Sequence, residues 1–147
     1  VYKRQEPNKA RIESWLRSLA LVFTEDLDRA QTVLEGLFSA VDSGAGFESW
    51  DVAGWLGVVA ARRGDLDTAR AAETALEEMG DGHWGWPSHY RAAIAAWMGH
   101  RDRAMDLLSR SQAEGWGSFY TFHDSNRVLF EPLDGMDDYQ ALLHPEG

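Results

Sequence analysis

His83 and His89 lie six residues apart with Asp81 close by, and these are residue types that bind transition metals. A rigid metal site needs ligands on one face, such as i and i+4 on a helix, and a third ligand held in place. Six residues across a glycine-rich turn do not supply that face, so these are read as loop histidines. Asp65-Leu66-Asp67 has calcium-type ligands, but no glycine or distal glutamate follows at EF-hand spacing. Helix capping explains it better. Glu77-Glu78 would be an acid/base pair only inside a cleft, and both sit near an acidic helix end, which reads as a solvated face. Ser118, His123 and Asp124 include the residue types of a hydrolytic triad without a spacing that orients a base on a nucleophile. No phosphate-binding glycine loop or dinucleotide fingerprint occurs. The expectation is a non-enzyme with no catalytic residue, no cofactor and no metal; an enzyme is a distant third reading.

The elements that would position these residues repeat. Glu25-Asp26-Leu27-Asp28-Arg29-Ala30 returns as Gly64-Asp65-Leu66-Asp67-Thr68-Ala69 and as Gly99-His100-Arg101-Asp102-Arg103-Ala104. From Ala30 to Ala69 is 39 residues, and from Ala69 to Ala104 is 35. A repeat of this length with a turn at its middle marks a helix–turn–helix array. Gly64 and Gly99 suit the left-handed end of a helix, and Asp65 suits the cap of the next one. Ala69 and Ala104 let two antiparallel helices approach closely. Before the turns, Trp15-Leu16 with Leu19-Ala20, Trp55-Leu56 with Val59-Ala60, and Tyr90 with Ile94-Ala95 form apolar faces. After them, stripes run through Leu27, Ala30, Val33, Leu34 and Leu37, through Leu66, Ala69, Ala72, Leu76 and Met79, and through Ala104, Leu107 and Leu108.

Leu56-Gly57, Ala60, Gly64-Asp65, Ala69 and Leu76 resemble the tetratricopeptide repeat, and Ala92, Ala95, Gly99 and Ala104 fall at the same spacings. The pattern departs from the family where its helix-A tryptophan falls on Ala53, and where Glu25 replaces the turn glycine. Phe130-Glu131-Pro132-Leu133, followed by Tyr139-Gln140-Ala141-Leu142-Leu143, is similar to the closing segment of many bacterial members. There Met136-Asp137-Asp138 stands for the usual Asp-Pro, with an aspartate able to cap. The resemblance implies an all-α solenoid of about three tetratricopeptide-like helix pairs plus a closing helical pair. Helices are expected near residues 10–23, 26–40, 50–62, 65–79, 87–98, 101–113, 118–126 and 137–143.

Residues 6–147 are read as one repeat domain, with repeats at about 10–42, 50–80 and 87–115 and a closing segment at 116–147. Residues 1–5, Val1-Tyr2-Lys3-Arg4-Gln5, are read as a non-native or disordered lead. Asp42-Ser43-Gly44-Ala45-Gly46, the stretch from Gly80 to Gly85, and Gly115-Trp116-Gly117 are the joints, none long enough for a domain linker. The length of 147 residues suits one domain. A net charge of -10 argues against nucleic acid and anionic lipid as partners, and no apolar run approaches a membrane span of about 20 residues. The chain has no cysteine, which excludes thiolate chemistry. A cytoplasmic location is expected.

The seven tryptophans are the compositional excess. Most should fill gaps between stacked helices. The family resemblance implies a concave groove lined by the first helix of each pair, with Asp51, Val58 and Arg62 from repeat two and Trp86, His89, Ala93 and Trp97 from repeat three. Asp51, Arg62, Trp86, His89 and Trp97 are therefore the candidate peptide-binding residues, suited to a segment with an apolar anchor and a carboxylate. The expected function is a non-catalytic protein-interaction or scaffold module, the C-terminal part of a larger bacterial regulatory protein. Its partner is a protein or peptide, or upstream domains of the same chain. The alternative is a purely structural cap of a longer array. The first helix, apolar nearly all round, is expected to drive self-association or to expose a patch. Arg62→Ala is expected to weaken peptide binding without lowering the melting temperature.

Overall fold

The computed structural model describes residues 6–40, 48–80, 83–116 and 124–144. Among them it contains eight α-helices and no strand: α1 (Glu6–Phe23), α2 (Leu27–Ala40), α3 (Glu48–Arg62), α4 (Leu66–Glu78), α5 (Trp86–Trp97), α6 (Arg101–Ser111), α7 (Asp124–Phe130) and α8 (Asp137–Leu143). A π-helical turn, Gln112–Trp116, follows α6, and a 3-10 turn, Glu131–Leu133, follows α7. Six expected helices fall at α1 to α6 and the last at α8. The seventh, expected at 118–126, overlaps α7, which runs on to Phe130; residues 117–123 lie outside the described residues. Leu129 and Phe130 are buried where α7 meets the core, and they lie beyond the end expected for that helix. Residues 1–5, the joint at 41–47, and Ser118 and His123 lie outside the described residues.

The repeated phrase folds the same way three times. Glu25, Gly64 and Gly99 each take a left-handed backbone, with φ of 63, 78 and 85°. In each turn that residue's N–H donates to the carbonyl three residues back, on Val22, Ala61 and Ala96. The next residue's N–H, on Asp26, Asp65 and His100, reaches five back to Leu21, Ala60 and Ala95. This pair of bonds is a Schellman motif, which satisfies carbonyls that a helix end leaves bare. The first bond of each following helix then comes from Ala30, Ala69 and Ala104, all fully buried. Asp65 caps α4 by accepting from the Thr68 N–H at 3.3 Å, and Pro87 sits in the first turn of α5. Met136 occupies the cap position before α8 and no side chain caps it, so the aspartate read as able to cap does not. Leu66, assigned to an apolar stripe, is exposed at the start of α4, whereas Ala69, three residues on and on the packed face, is fully buried.

Along α1 to α6 helices pack against their neighbours in order: α1 on α2, α2 on α3, α3 on α4, α5 on α6. Alternate helices also touch, with α3 lying on α5 and α5 on α7, while α4 rests on α5. Close approach of α3 and α5 depends on two glycines one helical turn apart. A Cβ on Gly54 would sit 2.2 Å from the Tyr90 ring, and one on Gly57 would sit 2.3 Å from the end of Ile94. Tyr90 and Ile94 therefore fill a notch that only glycine leaves open. The core runs from Val22, Ala30 and Leu34 through α3 and α5 to Leu129, Phe130, Leu133 and Tyr139.

Candidate functional site

The first helices α3 and α5 carry the residues proposed for a groove, and most of these already have work inside the protein. Arg62 ends α3. Its guanidinium Nη2 donates to both carboxylate oxygens of Glu25, at 2.9 and 3.0 Å, and its carbon lies 4.9 Å from the centre of the Trp97 ring. The Arg62 side chain is 8% exposed and that of Glu25 72% exposed. The guanidinium thus sits beneath the surface while its carboxylate partner closes it from solvent. Nη1 is buried without a hydrogen-bond acceptor. Attraction between a cation and an aromatic face adds about 0.5–2 kcal/mol, in proportion to how dry the site is.

Trp97 is fixed from a second side, since its indole N–H donates to the Val128 carbonyl at 3.1 Å and ties α5 to α7. Asp51 accepts a hydrogen bond from the Tyr90 hydroxyl at 2.6 Å. Burial, then the Asp51 charge and this hydrogen bond, pushes the Tyr90 hydroxyl well above its ordinary pKa. Trp86 stacks on Tyr90 at 5.8 Å and meets the edge of His89 at 6.0 Å. His89 is buried, with Phe130 edge-on at 5.0 Å, so its ring lies inside the core. Val58 and Ala93 are buried with it. Among the candidates, Arg62 and Trp97 come together as one cluster. Trp86, His89 and Asp51 gather around Tyr90 as another.

The histidines weighed for a metal part company. His83 lies against Trp50, with ring centroids 5.1 Å apart and the planes tilted by 34°, while His89 is in the core. Glu77 is ion-paired with Arg91 at 3.2 Å. Among the described residues no group of three or more His, Asp or Glu could hold a metal ion, and no helix is long and apolar enough to cross a membrane.

Polar residues that sequence reasoning passed over hold the pairs together. Gln31, buried on α2, donates to Asp65 at 2.7 Å and to Glu35 at 2.8 Å, and accepts from Arg63. It thereby links the first pair to the turn of the second. Glu73, buried on α4, is bound by Arg103 of α6 and lies 3.8 Å from Arg91 of α5. Their signal was faint: each is a polar residue on the inward stripe of its helix, at 31 and 73, among Ala30, Leu34, Ala69, Ala72 and Leu76.

Large apolar side chains stay outside at one end. On α1, Ile12, Leu16 and Phe23 are 48, 58 and 51% exposed. At 100° per residue these three positions fall within a narrow stripe of one helix face. The Phe23 ring lies 6.3 Å from that of Trp55, centre to centre, and is tilted by 57° to it.

No family model matches the chain, and no curated protein or solved structure matches it either.

Proposed function

We propose that the chain is a non-catalytic interaction module of the tetratricopeptide type, a right-handed solenoid whose successive first helices line a concave face for an extended peptide. The observation that carries this reading is the turn geometry. Three turns with the same two backbone bonds, each followed by a fully buried alanine, build helix pairs in equivalent positions. Contact of α3 with α5 and of α5 with α7 is what a stack of such pairs requires. Trp86 and Trp97 are half-buried on α5 and offer rigid apolar surface of the kind that anchors peptides. Placement as the C-terminal array of a larger bacterial regulatory protein, in the cytoplasm, follows only from the family resemblance.

A specific observation favours the second reading, a purely structural segment of a longer array. Arg62, Asp51 and Trp97 each spend their polar groups on internal partners. Peptide titration followed by tryptophan fluorescence separates the two. Short peptides with an aromatic or aliphatic anchor and a free C-terminal carboxylate are added to the chain and to Trp86→Ala. Saturable binding that Trp86→Ala weakens about tenfold supports the groove. Absence of binding at millimolar peptide leaves the structural reading.

A further inference from the structure

The three identical turns set an equivalence between helices that goes beyond the groove. Counting back from Asp26, Asp65 and His100, Leu16 of α1 matches Trp55 of α3 and Tyr90 of α5. Ala20 matches Val59 and Ile94, and Arg17 matches Leu56 and Arg91. In α5 these three positions make the junction with the preceding pair. Tyr90 and Ile94 fill the Gly54 and Gly57 notch of α3, and Arg91 reaches Glu73 and Glu77 of α4, four residues apart. In α3 the matching residues Trp55, Leu56 and Val59 are all buried. In α1 the same three positions, Leu16, Arg17 and Ala20, are all exposed, and Ile12 extends the apolar stripe by a turn.

We propose that this face of α1 docks a helical hairpin of defined chemistry. Its first helix carries small residues at i and i+3, which receive Leu16 and Ala20. Its second helix carries two carboxylates at i and i+4, which receive Arg17. The charge is the discriminating element. α3 carries a buried Leu56 at this position, whereas α1 carries an arginine there as α5 does, so the α5 junction is the template. The surface is separate from the α3–α5 face proposed for peptides and extends the interaction-module reading to one end of the stack.

The probe is a synthetic hairpin of residues 48–80, the segment that already receives Tyr90, Arg91 and Ile94, with a lactam staple in each helix and a fluorophore at one end. It is titrated into the full chain by fluorescence anisotropy. Saturable binding is expected, weakened about tenfold or more by Leu16→Ser and by Arg17→Glu. Both positions are exposed, and circular dichroism verifies that each variant keeps its helices. A hairpin carrying Glu73→Lys and Glu77→Lys should bind Arg17→Glu better than it binds the unaltered chain. Absence of binding at about 100 µM, or binding indifferent to both α1 variants, overturns the proposal. So does failure of the charge exchange to restore affinity. Sedimentation velocity of the chain alone completes the test: a dimer abolished by Leu16→Ser, without hairpin binding, would assign the face to a second copy instead. Peptide binding that Trp86→Ala weakens is unaffected by any of these results, so the two readings fail independently.

Discussion

At Glu25 a backbone cost opposes a side-chain gain. A non-glycine residue in the left-handed region costs roughly 1–2 kcal/mol, and the two equivalent turns avoid it with Gly64 and Gly99. The Glu25 carboxylate offsets that cost by closing over Arg62, whose burial would otherwise leave a guanidinium uncompensated. Glu25→Ala loses the pairing and keeps the strain, and should destabilise by about 1–3 kcal/mol. Glu25→Gly loses the pairing but relieves the strain, so it should cost about 1 kcal/mol less than alanine. Denaturant midpoints of the two variants decide the matter; equal midpoints would remove the strain argument. Arg62→Ala, expected from sequence to leave the melting temperature unchanged, is now predicted to lower it. It removes both hydrogen bonds to Glu25 and the contact with Trp97.

Among helices, glycines of the same type have opposite meanings according to what lies over them. Gly36, exposed on α2, would meet nothing with a Cβ. Gly36→Ala should therefore stabilise by about 0.5–1 kcal/mol through helix propensity alone. Gly57→Ala gains the same propensity but drives a methyl into Ile94, and overpacking of about 1–3 kcal/mol should win. Thermal melts of both variants, and of Gly57→Ala with Ile94→Val to make room, test this directly. The bounds of α1 to α6, the turn glycines and the buried alanines were largely legible in the sequence because capping and 3.6-residue stripes are local signals, whereas the end of α7 was not. The α3–α5 notch was not, since it depends on which helix crosses at Gly54 and Gly57. Asp51 and Arg62 lie on α3, and Trp86, His89 and Trp97 on α5. The partners that hold them, Glu25, Tyr90 and Val128, come from other elements of the chain, and no periodicity reports such pairings.

Over the whole molecule, protonation sets the limits of stability at both ends of the pH scale. Burial, reinforced by the Asp134 charge, pushes the Tyr139 hydroxyl up to about 12, and Tyr90 is raised as well. A raised folded-state value for a phenol means that the folded protein prefers the neutral form. The stability that Tyr139 contributes is thus present below pH 10 and lost as pH rises from 10 towards about 12. At the acid end, hydrogen bonds from Thr68 and Gln31 hold the Asp65 carboxyl below its ordinary value of 3.8. Its contribution is present above that value and disappears as pH falls through the lower folded-state value. Denaturant midpoints across pH should fall at both extremes. Phenolate absorbance should show Tyr90 and Tyr139 ionising together with unfolding. Tyr139→Phe should remove part of the alkaline loss.

The paired glycines of α3 also bear on the order in which the chain assembles. Two such residues in mid-helix weaken it by about 1 kcal/mol each relative to alanine, so α3 gains little by coiling before Tyr90 and Ile94 arrive. The neighbouring α4, with an aspartate cap and alanines along its length, has no such handicap. Folding should then couple α3 to α5 across the boundary between two pairs, instead of completing one pair at a time. A chain shortened to end at Gly80 would show this by hydrogen exchange. Amides of α3 should exchange rapidly there while those of α4 keep more protection, and equal protection in both would mean that each pair closes unaided.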